Sequence, residues 1–116
     1  HATIFVDDIS TAPVTTIGPA LQGSSIFPES VNVGFLQILD SNSARLRVFE
    51  RGAGETLACG TGACAAIVAG NLRGLLGPRA KISLAGGTLT LEWQGKNSPV
   101  KMTGPTEHVF EGRLRI

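Results

Sequence analysis

The chain has 116 residues, 42% of them hydrophobic, enough for one domain with its own core and too few for a second complete one. Ten basic residues against nine acidic ones leave a formal charge of +1, and the basic residues are scattered, which argues against nucleic-acid or membrane partners. No apolar stretch approaches about 20 residues and no charged-then-apolar leader is visible, so the expectation is a cytoplasmic protein, neither membrane-spanning nor secreted.

His1 leads directly into Ala2–Val6, a β-rich run that reads as a core strand with no methionine before it, the pattern expected of a piece of a longer protein. Asp7 and Asp8 follow, then Ser10-Thr11-Ala12-Pro13, the start signal of a helix. Gly18-Pro19 should limit that helix or split it into two turns. Gly23–Ser30, GSSIFPES, reads as a loop. Val31–Leu39 has Val33, Phe35 and Leu39 on one face, and Arg45-Leu46-Arg47-Val48 alternates polar and apolar after the turn Ser41-Asn42-Ser43. The two should form a hairpin. Asn32, inside the otherwise apolar first strand, is either a turn-adjacent surface amide or a ligand contact.

The run Glu50–Ala66, ERGAGETLACGTGACAA, brings a strand end, a carboxylate–arginine pair, a glycine turn, a cysteine and a helix start together. Cys59 should lie beside unpaired backbone N–H groups, which favour the thiolate and could also hold an anionic substrate. An unpaired cysteine is often an inert core residue. Gly60 and Gly62 on either side of Thr61 favour a reactive one, because a backbone that approaches a ligand closely needs glycine. Glu50 and Arg51 are either an exposed pair on a sheet rim or a clamp for a charged amino-acid end, arginine taking a carboxylate and glutamate an ammonium.

Between Ala63 and Gly70 no polar side chain occurs, so the first two turns of the helix expected over Gly62–Leu76 are apolar on every side and should be buried, with Asn71, Arg73 and Gly74 bringing it back to the surface. Cys64 is then a packing residue. Gly77-Pro78 should stop the helix. Lys81–Leu84, Thr88–Trp93, Val100–Thr103 and His108–Ile116 all alternate as strands, with turns at Gly86-Gly87 and Gly95-Lys96-Asn97. About seven strands and two helices result. The fold class expected is α+β, a mostly antiparallel sheet wrapped around one buried helix.

The only cysteines, Cys59 and Cys64, lie five residues apart, poorly placed to bridge each other, and both should be free thiols. No Cys-x-x-Cys or His-x-x-x-His spacing accompanies His1 and His108, so no metal site is expected. Neither GxxxxGK[ST] nor GxGxxG occurs, which argues against a nucleotide site.

The same Glu50–Ala66 run closely resembles the signature around the second catalytic cysteine of the diaminopimelate epimerase family. His1 looks like the histidine of that family's Asn-Pro-His segment, and VNVGF resembles its Asn-(Ile/Val)-Gly-Phe strand. MTGPTEHVFEG resembles its closing Met-Thr-Gly-Pro…Val-(Tyr/Phe) strand pair, so the similarity spans essentially the whole chain. The resemblance implies a two-lobed enzyme independent of pyridoxal phosphate and of any other cofactor, each lobe a β-barrel-like sheet around a central helix. This chain, residues 1–116, would be the C-terminal lobe.

It further implies that Cys59 is one of two opposed acid/base thiols, with His1 near the pair and Glu50 carried into the catalytic set. Asn32, Glu50 and Arg51 would recognise the distal head group of the substrate, and the Gly60 and Thr61 N–H groups its reacting carboxylate. Thr61 stands where serine is also common, while the first catalytic cysteine and the asparagine before His1 fall outside the chain. The implied function is interconversion of LL- and meso-diaminopimelate, in lysine and peptidoglycan precursor biosynthesis. The implied partners are diaminopimelate and the missing N-terminal lobe, and a homodimer is compatible. Two other readings stand beside this one: a related racemase or epimerase lobe with another substrate, and a non-catalytic binding domain that kept the signature.

Overall fold

The alternating runs assemble into one mixed sheet, seen in a computed structural model that describes all of His1–Ile116. Its strands are β1 (Ala2–Phe5), β2 (Val33–Asp40), β3 (Ser43–Glu50), β4 (Gly54–Thr56), β5 (Arg79–Leu84), β6 (Gly87–Trp93) and β7 (Val100–Thr103), with helices α1 (Val14–Gln22) and α2 (Gly60–Leu72). The strand order is β1-β2-β3-β5-β6-β7, and β4 pairs with β3 beside that path. β1 with β2 and β3 with β5 are parallel, and the other pairings are antiparallel. The class is α+β, as expected.

The hairpin forms in the expected register, Val33 opposite Phe49 and Leu36 opposite Leu46. Leu39 departs from the inner face. The register shifts between Ile38 and Asp40, and Leu39 ends up exposed, as a bulge at a strand end allows. Helix α1 runs through Pro19 unbroken to Gln22. Gly18 serves close packing instead, since a Cβ there would sit 2.7 Å from Phe49 Cγ. Helix α2 ends earlier than expected, at Leu72, with Arg73 as its C-cap and Gly74 just beyond it at a φ of 69° that suits glycine.

Two clusters form the core. Leu36, Leu46, Val48, Ile82 and Leu91 from the sheet enclose Ala63, Ala66 and Ile67 of α2. Val14, Ile9, Val31, Val33 and Phe35 form the second, under α1.

Three expectations are corrected. β4 was not foreseen, being three residues long inside a glycine-rich turn. Residues His108–Ile116 form no strand: Val109, Phe110, Leu114 and Ile116 are exposed. Alternation makes a strand only where an edge and an apolar surface receive it. Nor is α2 buried all round, because β1 and β7 do not pair, so the sheet is open. Gly62, Ala63, Ala66, Ile67 and Gly70 are buried, whereas Cys64, Ala65, Val68 and Ala69 of the same apolar turns are only half-buried. Over the open flank lies a groove of about 660 Å³ walled by Thr61, Cys64 and Val68 of α2, His1 and Thr3 at one sheet edge and Val100 at the other.

Candidate active site

Cys59 is the N-cap of α2. Its backbone is extended, φ −143° and ψ 102°, and its sulfur accepts the Gly62 N–H at 3.3 Å. The Thr61 hydroxyl lies 3.7 Å from the same sulfur. Ala63 N–H reaches the Cys59 carbonyl at 3.0 Å, and the first-turn N–H groups of Gly60 and Thr61 have no partner within the helix. A helix start of this kind carries partial positive charge beside the sulfur. Gly62 keeps this start closely packed. A Cβ there would lie 3.0 Å from Val48 Cγ2 and 3.1 Å from Cys59 Sγ. At Gly60 a Cβ would meet Met102 of β7, 3.2 Å from Cε and 3.3 Å from Sδ.

The thiol is less open than its place in the sequence suggests. Cys59 is only 6% exposed, while Cys64, expected to be inert packing, is half-buried and faces the groove. Burial in the first place, and the nearby Cys59 in the second, push the Cys64 thiol up from its ordinary range.

A second group gathers at the far end of the β2–β3 hairpin. The Arg51 backbone N–H donates to Asn32 Oδ1 at 2.7 Å, and the Arg51 guanidinium donates to the Glu29 carbonyl at 3.0 Å. Asn32 thus stands just before β2, with its amide turned toward the end of β3. Glu50 accepts from the Thr56 hydroxyl at 2.5 Å. The chain reverses between them through Gly52 and Gly54, with φ of 78° and 76°, which side-chain-bearing residues rarely adopt.

The structure therefore brings Asn32 to the Arg51 backbone, with Glu50 next in sequence and its carboxylate on Thr56, and separately groups Cys59, Gly60 and Thr61. Exposed His1 shares the groove with Thr61. Glu50 makes no hydrogen bond to Cys59, whose polar partners are Thr61 and Gly62. No group of His, Cys, Asp and Glu is arranged to hold a metal ion, and no helix is long and apolar enough to cross a membrane.

Sequence reasoning missed Thr56, Glu29 and Gln22. The Gln22 amide reaches the Val31 carbonyl at 3.0 Å and that of Phe49 at 3.5 Å, tying together the strand ends that carry Asn32 and Glu50. A polar residue inside a recognisable motif, as Thr56 is, was the one available signal.

In fold, the chain is similar to a Bacillus anthracis phenazine biosynthesis protein of the PhzF family, with a TM-score of 0.58 at 20% identity, over 86% of this chain and 33% of that one. That likeness speaks for the architecture alone: an α+β domain with a mixed sheet. The sequence settles the family. Residues 1–109 match the family model described as Diaminopimelate epimerase. The whole chain is 57% identical to 42% of the diaminopimelate epimerase of Alkalilimnicola ehrlichii and 58% identical to 40% of that of Cupriavidus metallidurans. The chain belongs to the diaminopimelate epimerase family, and it spans about two-fifths of the length of these relatives.

Proposed function

We propose that this chain is the C-terminal lobe of a cofactor-independent diaminopimelate epimerase of lysine and peptidoglycan precursor biosynthesis, and that Cys59 is one of its two acid/base thiols. The observation that carries the reading is the Cys59 cap itself, a sulfur held by the Gly62 N–H beside the first-turn donors of Gly60 and Thr61. The partner lobe would supply the opposing thiol. The barrel-like form belongs to the same proposal: the two free sheet edges flank one groove over α2, as in a sheet curled around its helix.

Inversion at an α-carbon needs a base on one face and an acid on the other. One thiolate takes the α-proton and becomes a thiol, while the opposing thiol gives its proton to the other face and becomes a thiolate. Charge develops on the substrate carboxylate as the proton leaves, and the Gly60 and Thr61 N–H groups are placed to receive it. Asn32, Glu50 and Arg51 hold the second amino-acid head group, arginine toward its carboxylate and glutamate toward its ammonium. That second cluster favours diaminopimelate over a simple amino acid, which has no such group.

Cys59→Ala in the full-length protein should lower the rate of epimerisation by about a hundredfold or more, the usual worth of a positioned acid or base. The measurement is chiral separation of LL- and meso-diaminopimelate over time. A variant that keeps the parent rate would remove Cys59 from the chemistry.

A further inference from the structure

We infer that Thr56 is a positioning residue for the distal head group of the substrate, holding the Glu50 carboxylate in the orientation that accepts an ammonium; this rests on the function proposed above. The hydroxyl carries one proton and has two acceptors within reach, Glu50 Oε1 at 2.5 Å and the Ala58 carbonyl at 3.3 Å. Distance and charge both assign the proton to the carboxylate. One oxygen of Glu50 is then occupied, and the other is left for the substrate.

The strand that carries Thr56 is itself fixed. Thr56 pairs with Val48 and Gly54 with Glu50, so β4 lies along the end of β3. Neighbouring residues of a strand point to opposite faces. Glu55 accordingly turns away from Thr56 and takes Arg47 in a two-point bond, Nε to Oε1 at 2.6 Å and Nη2 to Oε2 at 3.0 Å. The third arm of Arg47 reaches the Ile9 carbonyl at 3.0 Å. With its neighbour anchored on one face, Thr56 presents its hydroxyl to Glu50 on the other. Three residues further on stands Cys59, so one short segment carries both the support for head-group recognition and the thiol.

The test compares Thr56→Val and Thr56→Ser in the full-length enzyme. Valine keeps the shape and the strand preference but removes the donor; serine restores the donor. Thr56→Val should raise KM for diaminopimelate roughly tenfold or more, the loss expected of a hydrogen bond to a charged group, and change kcat much less. Thr56→Ser should return KM most of the way to the parent value. In a Glu50→Gln background, Thr56→Val should add little to the rise in KM, because the carboxylate it serves is gone. A valine variant with the parent KM, a serine variant as impaired as the valine one, or full additivity with Glu50→Gln would each overturn the assignment. The parent enzyme judges the underlying function separately: if it neither binds nor epimerises diaminopimelate, the proposed function fails and the role of Thr56 falls with it.

Discussion

The two flanks of α2 share one composition and have opposite fates. On one flank Ala63, Ala66 and Ile67 are wholly enclosed by the sheet, and the helix begins with a capped and nearly buried Cys59. On the other, Cys64, Val68 and Leu72 line an open groove between the sheet edges. Between Ala63 and Gly70 both read as apolar in the sequence, and helical periodicity cannot separate them, because two turns without a polar residue have no polar face to mark the outside. Which flank is covered depends on the sheet: β2, β3, β5 and β6 pack beneath the helix, while β1 and β7 stop short of each other above it.

The contrast can be broken most sharply by truncating one residue on each flank. Ile67→Ala should cost about 2–5 kcal/mol, because the cavity it leaves is walled by the sheet and collapses poorly. Leu72→Ala should change stability by no more than about 0.5 kcal/mol, its side chain being in water already. Urea denaturation of the 116-residue chain measures both. Equal losses would mean that the groove is closed in solution and the two flanks are alike.

A smaller effect sharpens the comparison at the helix start. Gly62→Ala should destabilise the chain by about 1 kcal/mol net. The added methyl crowds Val48 and the Cys59 sulfur, an overpacking cost of about 1–3 kcal/mol, offset in part by the better helix propensity of alanine, about 1 kcal/mol. A stabilised variant in the same denaturation assay would show that Val48 yields freely and that glycine there has no packing reason.

Local chemistry was legible in the sequence and long-range placement was not. The hairpin, β5, β6 and β7 followed from alternation between turn signals, and Cys59 with Gly60 and Thr61 followed from the glycines around a helix start. Asn32, Glu50 and Arg51 were grouped only through the family resemblance; the residues by themselves left them separate candidates, because Asn32 and Arg51 meet through the register of β2 and β3 and not through nearness in sequence. Thr56 escaped notice for the same reason: its partner is set by the pairing of a three-residue strand too short to announce itself. The alternation of His108–Ile116 was misread, since a pattern shows which residues could face a sheet and not whether one is there to face.

The two thiols offer the finest test of the flanks, and here access and ionisation oppose each other. Cys64 faces the groove but its thiol is pushed up, by burial chiefly and by Cys59 in addition. Iodoacetamide consumes the thiolate, so its rate at Cys64 should be low at neutral pH and keep climbing beyond about pH 8.5, where a free cysteine is half ionised. The urea-unfolded chain supplies the reference, with both causes removed. The sign for stability follows: the folded chain holds the Cys64 proton more tightly, so stability should fall as pH rises past the value at which the unfolded thiol ionises. Cys59→Ser should lower the Cys64 midpoint only slightly, because the larger cause remains. Peptide mass spectrometry after timed alkylation reads Cys64 alone. A folded-state midpoint at or below that of the unfolded chain would show that Cys64 is as well solvated as the open groove alone would make it, and that the sheet does not dry this flank of the helix at all.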